Sequence, residues 1–578
     1  KLSKIAENKQ KLIPIIKTII FCGLQNISLR GHRDDGSIYN DENDDNYIIN
    51  QKGNFKALLT FRIDAGDKIL EDHLNTAKCN ATYISKTTQN DLIECCGDVI
   101  KNKILNNVHK SKLFSILADE TTDNSISEQF SFCVRYFDTD KCTVEEYFIG
   151  FTKVENVTGE NLTDTILRLL KENNLDISLL RGQGHDGAAN MSGAFKGVQS
   201  RILKLQPLAL YTHCANHRLN LVLNKASSIP SIRNTVGIIT NINNFLRESA
   251  IRTNHLSSKI TELLPTQKAV KAKKLCDTRW VERHDGILHF SEILPAIVST
   301  LDDLSTSNYA SSNAHSLSIS ICNFEFLICL KILTKCLAIT LPLSIQLQSI
   351  NIDYSKAIDM TEAVKSVLNT IRNNSITEFK MIFDQTKIKA EKMHVEIRIP
   401  RITNIQRHRA NTKHNDPAEY YRINIFLPYL DYLISELNLR FPKDNNVIIS
   451  NLRKIIPKYY FEYDTPDEEI LNAAEKYEAD LPSSIEVLRG ELCLWKELWK
   501  TKSEKADTPM EAYKSAYMFP NIECLLKILC IIPVTTATSE RSFSSLKRIK
   551  TYLRSTMNQS RLNGLAMLNI NKDIKITP

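Results

Sequence analysis

The sequence predicts an α/β core combined with a large all-α region, on three observations. Extended apolar runs stand close together at Phe114–Ala118, Gln129–Phe137 and Tyr147–Lys153. They are followed by helix, strand, helix, strand and helix patterns as far as Asn224, an α/β order. From 226 to about 520, apolar residues recur at helical spacing almost throughout.

Bulk properties agree with such a chain. Its 578 residues exceed one ordinary core. It is 42% hydrophobic and 24% charged, a globular balance. Only 17 glycines occur, below the average share of about 7%, which favours helix over long loops. The net charge of +8 permits a polyanionic partner without requiring one. The 14 cysteines are irregularly spaced, several inside apolar runs, and suit buried free thiols in a reducing compartment. The apolar stretch Ile321 to Leu347 is cut by Glu325, Lys331 and Lys335, so no membrane partner is expected. No signal peptide opens the chain. It starts on Lys, so the natural N-terminus is expected upstream.

Residues 1–110 form the first expected region, helical and polar. Helical spacing covers Ile5 to Cys22, Asn54 to Arg62 and Thr88 to Asn106. Arg30, His32 and Arg33 lie in a loop that either touches phosphate or is simply solvated. Residues 111–225 form the second region. Its first strand runs into Asp119, and an amphipathic helix spans Asn161 to Glu172. A strand near Leu179 enters the glycine-rich turn at Asp186, a helix reaches Leu205, and a last strand, Leu208 to His213, precedes another helix. That order matches a ribonuclease-H-like layout. Residues 226–520 are the helical block, with patterns at Ser231–Arg247, Glu282–Leu304, Phe324–Leu347, Tyr354–Arg372, Asp416–Leu439 and Pro482–Trp499. The segment 387–414 is a basic linker, either contacting phosphate or solvated. Residues 521–578 close the core. There Thr538 or Ser539 caps a helix with Phe543, Leu546, Ile549 and Leu553 on one face and Lys547, Arg548, Lys550 and Arg554 on the other.

Phosphoryl transfer from a polynucleotide needs two divalent ions about 4 Å apart, clamping the attacking and leaving oxygens. Magnesium takes hard oxygen ligands, typically one or two carboxylates with phosphate oxygens. Asp119 ends the first strand and Asp186 follows the fourth. If those strands are neighbours the two acids meet, and Glu540, in the first turn of a C-terminal helix, completes the set if that helix packs on the sheet. Each acid alone also fits a turn or cap residue, as do Glu120 and Asp123. The run Gly182-x-Gly184-x-x-Gly187 satisfies a dinucleotide fingerprint, but it follows the fourth strand and no acid stands about 20 residues on. Cys214-x-x-His217 is half of a zinc site without a second pair nearby.

Taken together, Leu117-Ala-Asp119-Glu-Thr-Thr-Asp123, Gly184-His-Asp186-Gly-Ala-Ala-Asn190, His213-Cys214-Ala-Asn-His217-Arg-Leu-Asn220, Asp277-Thr-Arg279-Trp280 and Thr538-Ser-Glu540-Arg-Ser-Phe543-Ser resemble the hAT superfamily of DNA transposases. The nearer likeness is to the branch related to MYM-type zinc-finger proteins. The resemblance implies a ribonuclease-H-like mixed sheet interrupted by a large helical insertion domain. It implies that Asp119, Asp186 and Glu540 are a catalytic triad holding a two-ion Mg2+ or Mn2+ site. Cys214 and His217 correspond to a structural Cys-x-x-His element. Trp280 corresponds to the aromatic that stacks on an unpaired base, with Arg279 beside it on DNA; packing in a core is its plainer role. The last segment resembles the hAT dimerisation region, with Phe543, Leu546, Ile549 and Leu553 as its apolar stripe. Lys547, Arg548 and Lys550 then meet DNA phosphates or simply face solvent. The implied protein is a nuclear, homo-oligomeric transposase acting on element ends and target DNA. The alternative is a host-adopted, catalytically silent relative acting through dimerisation and DNA or chromatin-factor binding. The zinc finger usual at the N-terminus of such transposases has no counterpart in these residues: either it precedes them or it was lost.

Overall fold

The apolar runs of the core become β1 (Phe114–Thr122), β2 (Glu128–Asp138), β3 (Thr143–Val154), β4 (Leu180–His185) and β5 (Leu210–His213). They form one mixed sheet in the order β3-β2-β1-β4-β5. β1 pairs antiparallel with β2, and β2 with β3, whereas β1–β4 and β4–β5 are parallel. This follows from connection length: short turns join the first three strands, while the helix Gly159–Glu172 carries the chain over to β4. The computed structural model describes residues 2–31, 53–78, 81–275, 280–306, 311–400, 416–442, 446–462, 466–551 and 554–578.

Two compact units are present, Lys1–Cys214 with Asn451–Pro578, and Ala215–Ser450. The expected helical block at 226–520 coincides with neither, because residues 451–520 pack with the sheet unit. Arg181 Nε donates to Asp480 Oδ2 at 2.5 Å, and the Tyr513 ring lies 4.5 Å from that of Phe137. Periodicity shows that a helix has an apolar face, not which core receives it.

In the sheet unit, the helix Leu2–Gln25 contributes Ile15, Ile19 and Cys22 to a core shared with β1–β3 and with Leu562, Leu565 and Leu568 of the last helix, Gln559–Ile570. The helix Lys86–Ser111, capped by Ser85, crosses the last helix so closely that a Cβ on Gly97 would lie 2.8 Å from Gly564 Cα. A Cβ on Gly564 would lie 2.6 Å from the Ile93 carbonyl oxygen. Gly564→Ala is therefore expected to cost about 1–3 kcal/mol by overpacking, measured by urea denaturation.

The second unit is helical. The pattern Glu282–Leu304 is two helices, Trp280–Glu292 and Leu294–Thr306, since Pro295 cannot donate a backbone N–H across the junction. The pattern Asp416–Leu439 contains a π-helical turn, Arg422–Phe426, just ahead of Pro428. The helix Phe324–Gln346 is long and apolar enough to cross a bilayer. Its apolar residues instead lie buried within the unit, among them Ile328, Cys329, Ile332 and Leu343. The basic linker is described only as far as residue 400.

Candidate active site

Leu117 of β1 stands opposite Gly184 of the parallel strand β4. Alternate strand residues share a face, so Asp119 follows Leu117 on that face of β1, while Asp186 stands just past the end of β4 and near enough for its charge to act on Asp119. The neighbouring-strand condition is thus met by the topology.

Two glycines let Glu540 reach them. A Cβ on Gly182 would lie 2.7 Å from Pro533 Cδ, and one on Gly184 would lie 2.9 Å from Pro533 Cβ. β4 forgoes two side chains, and the Pro533 segment lies directly against it. The glycine run thus serves chain packing, in place of the pyrophosphate approach of a dinucleotide site. The helix Ala537–Ile549 begins just beyond, with Glu540 in its first turn. Cys214 fixes that start. Its Sγ accepts the Thr536 N–H at 3.3 Å and lies 3.5 Å from Thr535 Oγ1, while its own N–H donates to the His185 carbonyl at 3.0 Å.

The Glu540 helix is then clamped to the sheet by polar pairs. Ser542 Oγ lies 2.8 Å from Oγ of Ser131, the β2 residue opposite Asp119. Thr538 donates to Glu146, which pairs with Arg135 at 2.5 Å. Arg135 also donates to the Cys530 carbonyl at 3.1 and 2.8 Å. Lys550 Nζ meets Asp123 Oδ2 at 2.5 Å.

The carboxylates feel one another. Burial, then the charges of Asp186, Glu540 and Glu120, push the Asp119 carboxyl well above the usual range, although its oxygen accepts the Glu120 N–H at 3.0 Å. Glu120 is raised as well, by burial first, against a 2.8 Å hydrogen bond from Asn190 Nδ2. Its Oε2 is buried without a hydrogen-bond partner. Asp186 Oδ1 accepts the Ala188 N–H at 3.1 Å, and Tyr211 donates to the Asp186 carbonyl at 3.2 Å. His185 is wholly buried and burial lowers its pKa to about 4, so it adds no charge at neutral pH.

By its chemistry this donor set suits a hard divalent cation: several carboxylate oxygens in part-buried positions, with Asp119 and Glu120 held above the usual carboxylate range. Among the described residues, however, no group of three or more His, Cys, Asp or Glu side chains is close-set enough to hold an ion alone. A cation here would need phosphate oxygens or water to complete its shell, as magnesium sites usually do. Glu120 and Asn190 were not singled out from sequence. Strand alternation sends Glu120 to the face opposite Asp119, and only the turn after β4 brings Asn190 back to it.

Other expected residues fall differently. Phe543, Leu546 and Ile549 are not an exposed dimer stripe. Leu546 and Ile549 are buried in the unit's own core and the Phe543 ring stacks 6.3 Å from that of Phe151, because the sheet needs a cover on this face. Lys550 is not on a solvent face either, being buried against Asp123. Lys547 and Arg548 are exposed. Leu553 and Arg279 lie outside the described residues, and Trp280 opens a helix of the second unit. His217 lies part-buried on the helix Ala215–Ala226 of that unit, whereas Cys214 belongs to the first. Among the described residues of the C-terminal region, Tyr517 and Met518 are the large apolar side chains left exposed.

The chain matches two family descriptions: a ZMYM1/FAM200 RNase-like domain over residues 2–197, and the hAT family C-terminal dimerisation region over residues 514–574. The chain is hAT-like over these two stretches. The RNase-like match takes in β1 to β4 with Asp119 and Asp186, and the dimerisation match takes in Glu540. The hAT-like chain is also similar to the human "52 kDa repressor of the inhibitor of the protein kinase", 29% identical over 586 residues, 98% of this chain and 75% of the relative. The mouse protein of the same description is 29% identical over 587 residues with the same coverage.

Proposed function

We propose that this hAT-related chain is a metal-dependent DNA strand-cleaving and strand-transferring protein whose centre is Asp119, Asp186 and Glu540. The observation that supports this is the electrostatic contact of three acids from β1, the end of β4 and the Glu540 helix, brought together over more than four hundred residues of sequence. Bound divalent ions, Mg2+ or Mn2+, would supply the clamp on the attacking and leaving oxygens. Asp119 and Asp186 would hold that charge from the sheet, and Glu540 from the helix above it. Ser131 and Ser542 keep the helix and β2 in register, and Pro533 against β4 sets how near Glu540 comes. The proposed setting is the nucleus, the proposed partner DNA, and the proposed assembly a homo-oligomer through residues 514–574, where Tyr517 and Met518 are exposed.

The test is Mg2+- or Mn2+-dependent nicking of plasmid and element-end DNA. Asp186→Asn is expected to lower the rate by at least about a hundredfold, the scale for losing one preorganised charge-stabilising group, with DNA affinity retained. A variant that still cuts at the original rate refutes the assignment. The second reading is a silent, dimerising regulator. The relatives' description as a repressor favours it, as does the lack of a close-set metal cluster among the described residues. It predicts no divalent-ion binding at all.

A further inference from the structure

The sheet unit has a second charged feature that uses none of the three acids. A cavity of about 350 Å³ is lined by Arg30, Arg554 and Arg561, with Asn90 and Asn558 between them. Arg561 is 8% exposed. The Arg30 and Arg561 guanidinium groups both donate to Asn90 Oδ1, at 2.9 and 2.5 Å. Arg30 also donates to the Lys86 carbonyl at 2.8 Å, and Arg554 to Asn26 Oδ1 at 3.4 Å. Every one of these acceptors is neutral, and Arg30 Nε is buried with no partner. Three cations therefore face one cavity with no described carboxylate paired to any of them. Burial, and for Arg561 then the charges of Arg30 and Arg554, hold both Arg554 and Arg561 below their ordinary range, Arg561 down to about 10. Such a cluster is costly unless an anion supplies the missing charge, and guanidinium groups suit the oxygens of a phosphate.

The surroundings favour a strand over a lone ion. Asn26, which meets Arg554, also donates to the Arg548 carbonyl at 3.0 Å. The pocket edge thus continues to the exposed cations Arg548 and Lys547, and a row of cations suits consecutive phosphates.

We propose that Arg30, Arg554 and Arg561 form a pocket that binds one backbone phosphate of a nucleic-acid strand. The proposal rests on the reading above only for the choice of partner. Its test is run without divalent ions, so it fails or succeeds independently of cleavage. The full chain, Arg554→Gln and Arg30→Gln would be titrated with inorganic phosphate, followed by thermal melting, and with a duplex oligonucleotide at several salt concentrations. Phosphate is expected to raise the melting temperature of the parent and not of the variants. Both variants are expected to bind the oligonucleotide more weakly, with a salt slope lower by about one. Without ligand, Arg554→Gln is expected to melt no lower than the parent, since it relieves like-charge crowding; an arginine with a purely structural role would show the opposite. Unchanged oligonucleotide affinity and slope in both variants would overturn the proposal, even if inorganic phosphate still bound.

Discussion

Lys550→Met is expected to destabilise the sheet unit by about 3–5 kcal/mol, because it strands a buried carboxylate. The Lys550 side chain is 6% exposed and that of Asp123 1%. Asp123 Oδ1 accepts from the Ser125 N–H and Oγ, both at 2.7 Å, and Oδ2 accepts from Gln129 Nε2 at 3.0 Å, so the acid cannot turn outward. Burial alone would raise its pKa. The Lys550 ammonium and the Ser125 and Ser127 donors outweigh it and hold the pKa at about 2. The folded value lies below the unfolded value of about 3.9, so this stabilisation is full above that point and drains as pH falls through about 2. Urea denaturation across that acidic window should show the parent losing stability more steeply than Lys550→Met. Equal slopes would mean that the pair carries no linkage. Double replacement with Asp123→Leu should recover much of the loss, since two apolar groups leave no orphan charge.

Asp119→Asn is expected to change stability in the opposite direction and to remove the response to divalent ions. In the parent, burial and three neighbouring acids place the folded pKa above the unfolded one. Such a group stabilises the fold fully below the unfolded pKa, and that contribution is lost as pH rises through the folded value. At neutral pH Asp119 is therefore a cost, and asparagine, which can still accept the Glu120 N–H, removes it. The variant without ions should melt higher than the parent at neutral pH and depend less on pH. Mn2+ or Mg2+ should stabilise the parent and leave the variant unmoved. A lower melting temperature for the variant, with the ion response intact, would remove Asp119 from any metal centre.

The sheet and its acids were legible because both follow from short-range rules. A polar turn after each of the first two apolar runs implies a meander, and one crossover returns β4 beside β1; Asp119 and Asp186 then stand at the same end of the paired strands. Glu540 needed more than spacing, since only the approach of Pro533 to Gly182 and Gly184 shows why its helix lies on that face. The basic face of that helix was legible as amphipathic, yet Lys550 proved buried: a partner as distant in sequence as Asp123 leaves no local signal. The same holds for Leu546 and Ile549, whose spacing reveals an apolar stripe but not what covers it. Arg30 was legible as a candidate phosphate contact and Arg554 as part of a basic face, but their shared cavity with Arg561 was not, as Arg30 and Arg561 come together on Asn90 only through the fold.

The seat of Pro533 on β4 has a consequence for synthesis on the ribosome. The sheet strands are translated early, but the helix that covers Phe151 and the apolar residues that surround Ile15 and Ile19 are translated last. A nascent chain, or one truncated at residue 532, exposes that sheet face to solvent and lacks Glu540. An incomplete product is therefore expected to be chaperone-bound, with the proposed three-acid centre left unassembled.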